Sequence, residues 1–426
     1  MTARKIGPVL ATFVVANNMI GSGFFLLPAT LARSGAVTVF SWLLGTVLAM
    51  MLGAAFARLA RTYPDLECLD DYIRPSVGRD ASFIASTTYW LSSWIGNNAI
   101  AVAAFGYMVT LLPLDAGNPA VQVGGQIGLI WLMFAINLLG PRPVAKFQSF
   151  CVVFGLMPVA MVLLFGWGAF DRGIYDAAWN VTGKADASVV FGALAPIFWA
   201  FVGLETGAMI AGVVRDPDRD IPIATLGGVA IAGLVYMTSS VLVMGIVPAS
   251  ELAASSAPFA LVATTIFGPW AAAMIAIAAT LKASGTLGGW MLVTGESGAR
   301  AAQRGFLPAA FGRFNQHGAA AIGLFIIACA MTLLALLTLS PTVSGQFEVL
   351  IEIVVTLVVL AYAAAGLALV LGTATRRPSA SDRLLGIGAL VACVLLLWSS
   401  DWKMLAGGAV VVVIAWALYR LLGQRR

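Results

Sequence analysis

The sequence has few charged residues. They make up 10% of the 426 positions, whereas hydrophobic residues make up 60%. A soluble globular chain carries about 25% charged residues, and so few charged side chains cannot cover a surface that faces water. The composition therefore argues against a soluble protein.

Histidine and cysteine are also scarce. The one histidine is His317, and the four cysteines, at positions 68, 151, 329 and 393, stand singly. Metal sites and disulfide frameworks need such residues at short, regular spacings. The sequence shows no cluster of polar side chains for hydrolytic or metal chemistry, so we expect no enzyme and no metal or cofactor.

What the sequence does contain is a series of long uncharged runs. They cover residues 6–32, 34–57, 81–114, 116–141, 147–170, 187–204, 221–250, 252–281, 314–347, 353–375, 384–400 and 404–419. Most exceed the roughly 17 to 25 apolar residues with which a helix crosses about 30 Å of hydrocarbon, and lipid offers no partner to unpaired backbone groups. With the run at 252–281 extended past Lys282, the pattern predicts an all-α membrane protein with twelve transmembrane helices.

The basic residues predict the orientation of these helices. An even number of spans places both termini on one side, and 19 of the 24 Lys and Arg residues fall on that side. Four fall opposite, namely Arg33, Arg172, Lys184 and Lys403, and Lys282 lies inside a span. Because cytoplasmic loops are rich in Lys and Arg, we expect a membrane protein with both termini in the cytoplasm. The net charge of +5 then reflects topology and needs no nucleic-acid partner.

The first predicted span contains a polar, glycine-rich stretch. Asn17 and Asn18 precede the triplet Gly21-Ser22-Gly23, and glycine costs about 1 kcal/mol against alanine inside a helix. The triplet predicts unwinding, which is tolerated in a membrane only where the backbone is buried in protein or lines a cavity. A small-residue helix-packing motif is the alternative interpretation.

The sixth predicted span carries a comparable interruption around Gly203 and Gly207. Paired interruptions at matching positions indicate an inverted repeat. Residues 6–170 and 187–375 would form two five-helix repeats, and residues 383–421 two additional helices. Residues 1–426 would then be a single transmembrane domain.

Three ionisable side chains fall inside predicted spans. Glu205 lies at the second interruption, and such a group costs several kcal/mol unless it has a partner, which makes it a functional candidate. A carboxyl group that only supports the helix break is the alternative. Lys282 and Glu352 either pair with each other or Lys282 takes the place of a bound cation; a snorkelling or purely structural Lys282 is the alternative.

Aromatic residues form a further set: Tyr89, Trp90, Trp199 and Trp290. A cation over a Trp or Tyr ring gains about 0.5 to 2 kcal/mol, so these rings would suit a cationic substrate. Tryptophan is also common at membrane interfaces. The interfacial interpretation suits Trp199 less, because it lies one turn before Glu205 beside the expected break.

Five ordered motifs carry a resemblance over nearly the whole chain. They are residues 19–29, 89–91 with 94–97, 199–205, 214–217 leading to 221–225, and 287–290. Together they resemble the basic amino acid/polyamine antiporters of the amino acid-polyamine-organocation (APC) superfamily, and most of all the bacterial arginine/agmatine antiporters. The resemblance implies a leucine-transporter-like inverted repeat with discontinuous helices 1 and 6.

The resemblance also implies a binding site at the two breaks. Ile20, Ser22 and Gly23 would receive a substrate carboxylate, Trp199 would stack on the aliphatic part, and Trp290 would close one side. The distal pocket would be lined by Ser92, Ser93, Asn97 and Ile100. Ala200 and Val354 would also belong to the pocket, although each stands where the arginine antiporter has a serine. Loss of these hydroxyls disfavours a buried cation unless other groups replace them.

Gating and proton coupling are implied for a second set of residues. Glu205 would contact the substrate region and respond to protons near the gate. Tyr89 and Tyr362 resemble the gate tyrosines of the cytoplasmic and periplasmic approaches. Thr286 and Trp290 belong to the same set. Lys282 and Glu352 are added as charges inside predicted spans, without counterparts in the family.

The sequence thus predicts a secondary transporter. It would exchange a basic amino acid, such as arginine, lysine or ornithine, for a related amine or amino acid across the inner membrane. A proton-coupled symporter or uniporter of neutral amino acids is the alternative. The expected partners are a small amino acid or amine and the lipid bilayer, with a homodimer implied by the relatives.

Overall fold

The structure, a computed structural model, describes residues 5–21, 23–63, 69–115, 117–210, 214–340, 342–373 and 376–423. These residues contain helices and no β-strand, with two isolated backbone bridges, Ile6 to Val214 and Thr373 to Arg376. Helices satisfy their backbone groups internally, as a chain in lipid requires. The predicted all-α membrane class is confirmed.

The helices are numbered in chain order. The first ten are α1 (Pro8–Met19), α2 (Gly23–Ala32), α3 (Val39–Thr62), α4 (Leu69–Val77), α5 (Arg79–Met108), α6 (Pro119–Asn137), α7 (Pro141–Phe165), α8 (Arg172–Ala177), α9 (Asp186–Gly192) and α10 (Leu194–Phe198). The others are α11 (Thr206–Met209), α12 (Pro217–Met244), α13 (Ala249–Ala254), α14 (Pro258–Phe267), α15 (Pro269–Gln303), α16 (Ala321–Leu337), α17 (Val343–Leu371), α18 (Ala380–Ser399) and α19 (Trp402–Gly423).

Many of these helices can cross a membrane. In the described ranges, 8 helices are long and apolar enough, and the number rises to 10 if each of two bent pairs is one span. Shorter apolar helices lie at Pro258–Phe267, Ala321–Leu337 and Trp402–Ala417. The chain is therefore a multi-pass membrane protein by length and composition, and the count of twelve spans stays a prediction.

The first bent pair lies at the Gly-Ser-Gly triplet. Helix α1 ends at Met19, α2 begins at Gly23, and the two are inclined by 49°. The Ile20 amide donates to the Ala16 carbonyl at 2.8 Å, and the Gly21 amide turns back to the Met19 carbonyl at 2.8 Å. Ser22 lies outside the described residues. The unwinding that the glycines predict is therefore present.

The second interruption follows Phe198. A 3-10 turn covers Trp199–Phe201, and Gly203 has a φ of 107°, in the left-handed region that side chains with a Cβ rarely adopt. Helix α11 then runs from Thr206 to Met209. The 41° bend of the pair Asp186–Gly192 and Leu194–Met209 falls earlier, so this span has both a bend and an irregular segment.

Close helix packing positions the interior groups. Helix α15 packs along α5 and α7, α17 along α5, and α12 along α1 and α3. A Cβ on Gly155 of α7 would lie 2.8 Å from the Ala278 carbonyl and 3.0 Å from the Lys282 Cα. Because glycine leaves room for this approach, α7 and α15 come close together at the level of Lys282.

Candidate functional site

A cavity lies between the first-span break and helices α5, α15 and α17, with about 500 Å³ of empty space when the open solvent at its mouth is included. Ten of the predicted site residues line it: Gly23, Tyr89, Ser92, Ser93, Asn97, Ile100, Trp199, Thr286, Trp290 and Val354. The lining also includes residues that the sequence analysis did not assign to a site: Asn18, Met19, Gly21, Gly96 and Val202. The structure thus brings most of the predicted substrate pocket together.

Trp199 stands between two glycines. A Cβ on Gly23 of α2 would lie 2.8 Å from indole Cδ1 and Nε1, and one on Gly96 of α5 would lie 3.1 Å from Cη2. The ring also meets Phe347 of α17 edge-on, with centroids 6.4 Å apart. Three helices therefore fix the indole, which forms one wall of the cavity.

One face of α5 forms an adjoining wall. Its lining residues are Ser92, Ser93, Gly96, Asn97 and Ile100. These positions recur at helical spacing, a pattern from which Gly96 could have been found. The hydroxyls of Ser92 and Ser93 donate to the Tyr89 carbonyl at 2.7 and 2.8 Å. Since a hydroxyl has one proton, their oxygens are left to accept hydrogen bonds.

Asn97 adds an unsatisfied acceptor to this wall. The side chain is fully buried, and its Nδ2 donates to the Thr294 Oγ1 at 3.3 Å. Its Oδ1 has no hydrogen-bond partner among the described residues. A buried polar atom without a partner costs about 1 to 3 kcal/mol, which a ligand N–H group would relieve. This end of the cavity thus offers acceptors to a cation.

Glu205 is separated from the cavity by a single side chain. It is 2% exposed, and its Oε1 accepts from the Tyr89 hydroxyl at 2.7 Å. Its Oε2 accepts from the Gly203 amide at 3.1 Å and from the Tyr362 hydroxyl. Glu205 is absent from the lining of the cavity, so Tyr89 separates it from a ligand there.

The two tyrosines were expected on opposite approaches. Instead, the hydroxyls of Tyr89 and Tyr362 meet on the Glu205 carboxylate. The turn at Gly203 places that carboxylate where α5 and α17 face each other, so both phenols reach it. The assignment of one tyrosine to each approach is corrected to a single Tyr89–Glu205–Tyr362 cluster.

Lys282 and Glu352 do not pair with each other. Lys282 is 1% exposed, and its Nζ lies 3.3 Å from the Thr286 Oγ1. Glu352 is half-buried on α17, where Glu348 and Asp401 are its charged neighbours. Of the two alternatives for Lys282, the ion pair with Glu352 is therefore wrong, because the two side chains lie in different surroundings. The other alternative, that Lys282 takes the place of a bound cation, stays a prediction.

Two predicted substrate contacts, Ile20 and Ala200, do not line the cavity. Ile20 is half-buried and Ala200 is 1% exposed. The first break faces the cavity through Gly21 and Gly23, whereas Ala200 packs into the hydrophobic core. Ser22 lies outside the described residues.

Comparison with known proteins places the chain among transport proteins. The family model described as amino acid permease matches residues 6–418. The cadaverine/lysine antiporter of Escherichia coli (strain K12) is 36% identical over 370 residues, covering 85% of this chain and 82% of that protein. The putrescine transporter PotE of the same strain is 32% identical over 429 residues, covering 99% and 97%. The PotE of Haemophilus influenzae is 31% identical over 422 residues, covering 98% and 97%.

Proposed function

Because the chain belongs to the amino acid permease family of the APC superfamily, whose members here are transporters and not enzymes, we propose that it exchanges a basic amino acid for a related amine or amino acid. Its relatives include a cadaverine/lysine antiporter and putrescine transporters. Cadaverine is lysine without its carboxylate, and putrescine is ornithine without its carboxylate. Lysine and ornithine, each with its diamine, are therefore the substrates we favour over arginine and agmatine.

The observation that carries this proposal is the set of acceptors on the face of α5 that lines the cavity with Trp199. The free Asn97 Oδ1 and the serine oxygens would take the distal ammonium group of the substrate. The indole of Trp199 would cover its aliphatic chain, and a cation near such a ring gains up to about 2 kcal/mol when water is excluded. The amides at the start of α2 would hold the carboxylate, since a helix N-terminus favours anions.

The remaining residues complete this arrangement. Trp290, Ile100 and Val354 would close the apolar part of the pocket. The Tyr89–Glu205–Tyr362 cluster would act as gate and proton-responsive group during alternating access, with Thr286, Lys282 and Glu352 as further members of the coupling set.

We extend the proposal to the arrangement in the membrane. The chain would cross the bacterial inner membrane twelve times with both termini in the cytoplasm. Residues 6–170 and 187–375 would be inverted repeats of a leucine-transporter-like domain, and residues 383–421 would add two helices through which a homodimer forms.

A second candidate is a proton-coupled symporter or uniporter of neutral amino acids. Val354 lines the cavity and gives that part of its wall no hydroxyl, which would suit an apolar side chain. The buried Glu205 would then carry the proton.

Binding calorimetry on the purified, detergent-solubilised protein tests the choice. Lysine, ornithine and arginine should bind, whereas leucine and valine should not; the opposite ranking would favour the neutral transporter. Trp199→Leu should weaken lysine binding at least tenfold, since about 1.4 kcal/mol corresponds to a factor of ten. Trp167→Leu is the matched control, because Trp167 is exposed in the turn after α7. Unchanged affinity in Trp199→Leu would remove the stacking role.

A further inference from the structure

We propose that Lys282 determines specificity in this cavity: its ammonium group is the fixed countercharge for the substrate's carboxylate, so that α-amino acids bind in preference to diamines. This role rests on the proposed function. It concerns the carboxylate end of the site, which the acceptors around Asn97 do not serve.

The first step is the burial of a cation with little compensation. Lys282 is 1% exposed and among the largest fully buried side chains. The Thr286 hydroxyl accepts from its Nζ at 3.3 Å and itself donates to the Lys282 carbonyl at 2.9 Å. Within the described residues, no carboxylate oxygen lies within 4.0 Å of the ammonium group. A buried charge without a counterion is costly, so this position calls for an anion.

The neighbouring helix does not supply that anion. Cys151 of α7 is the titratable side chain of that helix that lies near Lys282, and the Cys151 thiol is itself buried against Gly285. At Gly155 the backbone of α7 approaches Lys282 closely. On the α7 side, Lys282 is therefore enclosed without a carboxylate in the described residues.

The second step is the position of Lys282 behind the cavity wall at the first-span break. Thr286, which bonds its Nζ, lines the cavity. The Thr286 Cγ2 is also 3.4 Å from where a Cβ on Gly21 would lie, so Thr286 touches the unwound segment. One side chain thus separates the ammonium group from the break, where α2 begins at Gly23 and its first amides have no partner within the helix. The positive end of α2 and Lys282 favour negative charge at the same place.

The third step is the presence of a second buried ionisable group, Glu205, next to the cavity. Glu205 lies behind Tyr89, just as Lys282 lies behind Thr286, and both Tyr89 and Thr286 line the cavity. The cavity is therefore flanked by a buried carboxyl group and a buried ammonium group. An amino acid with a carboxylate at the break and a distal cation would complement this pair, whereas a diamine would place a second cation near an uncompensated lysine.

The experiment compares ligands that differ at the carboxylate. Binding of L-lysine, L-lysinamide and cadaverine is measured on the wild-type protein and on Lys282→Met, Lys282→Gln and Lys282→Arg. Wild type should prefer L-lysine. Both neutral variants should weaken L-lysine about tenfold or more while cadaverine and lysinamide bind as before or more tightly, and Lys282→Arg should keep the wild-type order. Lys403→Met, which changes an exposed lysine, should alter none of the affinities.

Two results would overturn the proposal. One is that the neutral variants bind L-lysine and cadaverine with the wild-type affinities. The other is that folded neutral variants lose affinity for both ligands by the same factor. Lys282→Gln keeps a hydrogen bond to Thr286 within reach and covers the case in which Lys282→Met does not fold. If wild type binds none of the three ligands, the proposed function fails instead.

Discussion

The surroundings of Glu205 and Lys282 differ although both side chains are almost fully buried. Glu205 receives hydrogen bonds from two phenols and one backbone amide, whereas Lys282 has a hydroxyl partner. A buried ion is tolerated when hydrogen bonds replace its water, and it destabilises the fold when they do not. The protein has therefore accommodated the carboxyl group with its own atoms and has left the ammonium group for another charge to balance.

We expect the largest effect on stability from removing the Glu205 carboxylate. Glu205→Ala would leave the hydroxyls of Tyr89 and Tyr362 and the Gly203 amide without their acceptor, at about 1 to 3 kcal/mol for each group. We expect a loss of about 3 kcal/mol or more in the free energy of unfolding, measured by thermal or denaturant unfolding in detergent. Glu205→Gln keeps one acceptor oxygen and should lower the free energy of unfolding by less. A loss below about 1 kcal/mol in Glu205→Ala would contradict this description of the cluster.

Lys282→Met should leave the free energy of unfolding unchanged or raise it, in contrast to Glu205→Ala. Replacing a buried ion pair with apolar side chains is often neutral or stabilising by about 1 to 4 kcal/mol, whereas removing one partner of a pair is strongly destabilising. The partner of the Lys282 ammonium group is a hydroxyl, so its removal leaves no buried charge unpaired. Met is unbranched and adapts to irregular space, so the packing against α7 should survive. If this variant loses as much stability as Glu205→Ala, then Lys282 has a structural partner after all and the contrast disappears.

The smallest expected effect concerns the glycine beneath Trp199. In Gly96→Ala, the new Cβ would lie 3.1 Å from the indole Cη2, so the ring must shift by a few tenths of an ångström. We expect about threefold weaker lysine binding in calorimetry, somewhat less than the factor of ten that 1.4 kcal/mol provides.

Gly124→Ala is the matched control for that change. A Cβ on Gly124 of α6 would meet nothing within 4 Å, so ligand affinity should not change. The helix should gain only the roughly 1 kcal/mol by which alanine exceeds glycine in helix propensity. Equal affinities for the two alanine variants would show that Gly96 does not position the indole.

Local features of the fold could be predicted from the sequence. Glycines within apolar runs predicted the break at Gly21 and the irregular segment at Gly203, because backbone freedom is a local property. The face of α5 around Asn97 follows helical spacing, although Gly96 was missed because it has no side chain to suggest a role.

Contacts between distant helices could not be predicted in the same way. Tyr362 lies 157 positions from Glu205, and hydropathy gives neither the depth nor the rotation of a helix. For this reason the two tyrosines were assigned to opposite approaches, and an ion pair with Glu352 was one of the alternatives for Lys282. Both errors concern which side chains meet, a question that helix packing decides.

Counterflow in proteoliposomes tests the proposed exchange most directly. Vesicles that contain the wild-type protein are preloaded with unlabelled L-lysine, and the uptake of labelled L-lysine or cadaverine is compared with uptake into empty vesicles. We expect preloading to accelerate uptake in wild type and to have little effect in Trp199→Leu. Equal uptake into loaded and empty wild-type vesicles, also with ornithine and putrescine, would contradict the exchange of a basic amino acid for its amine.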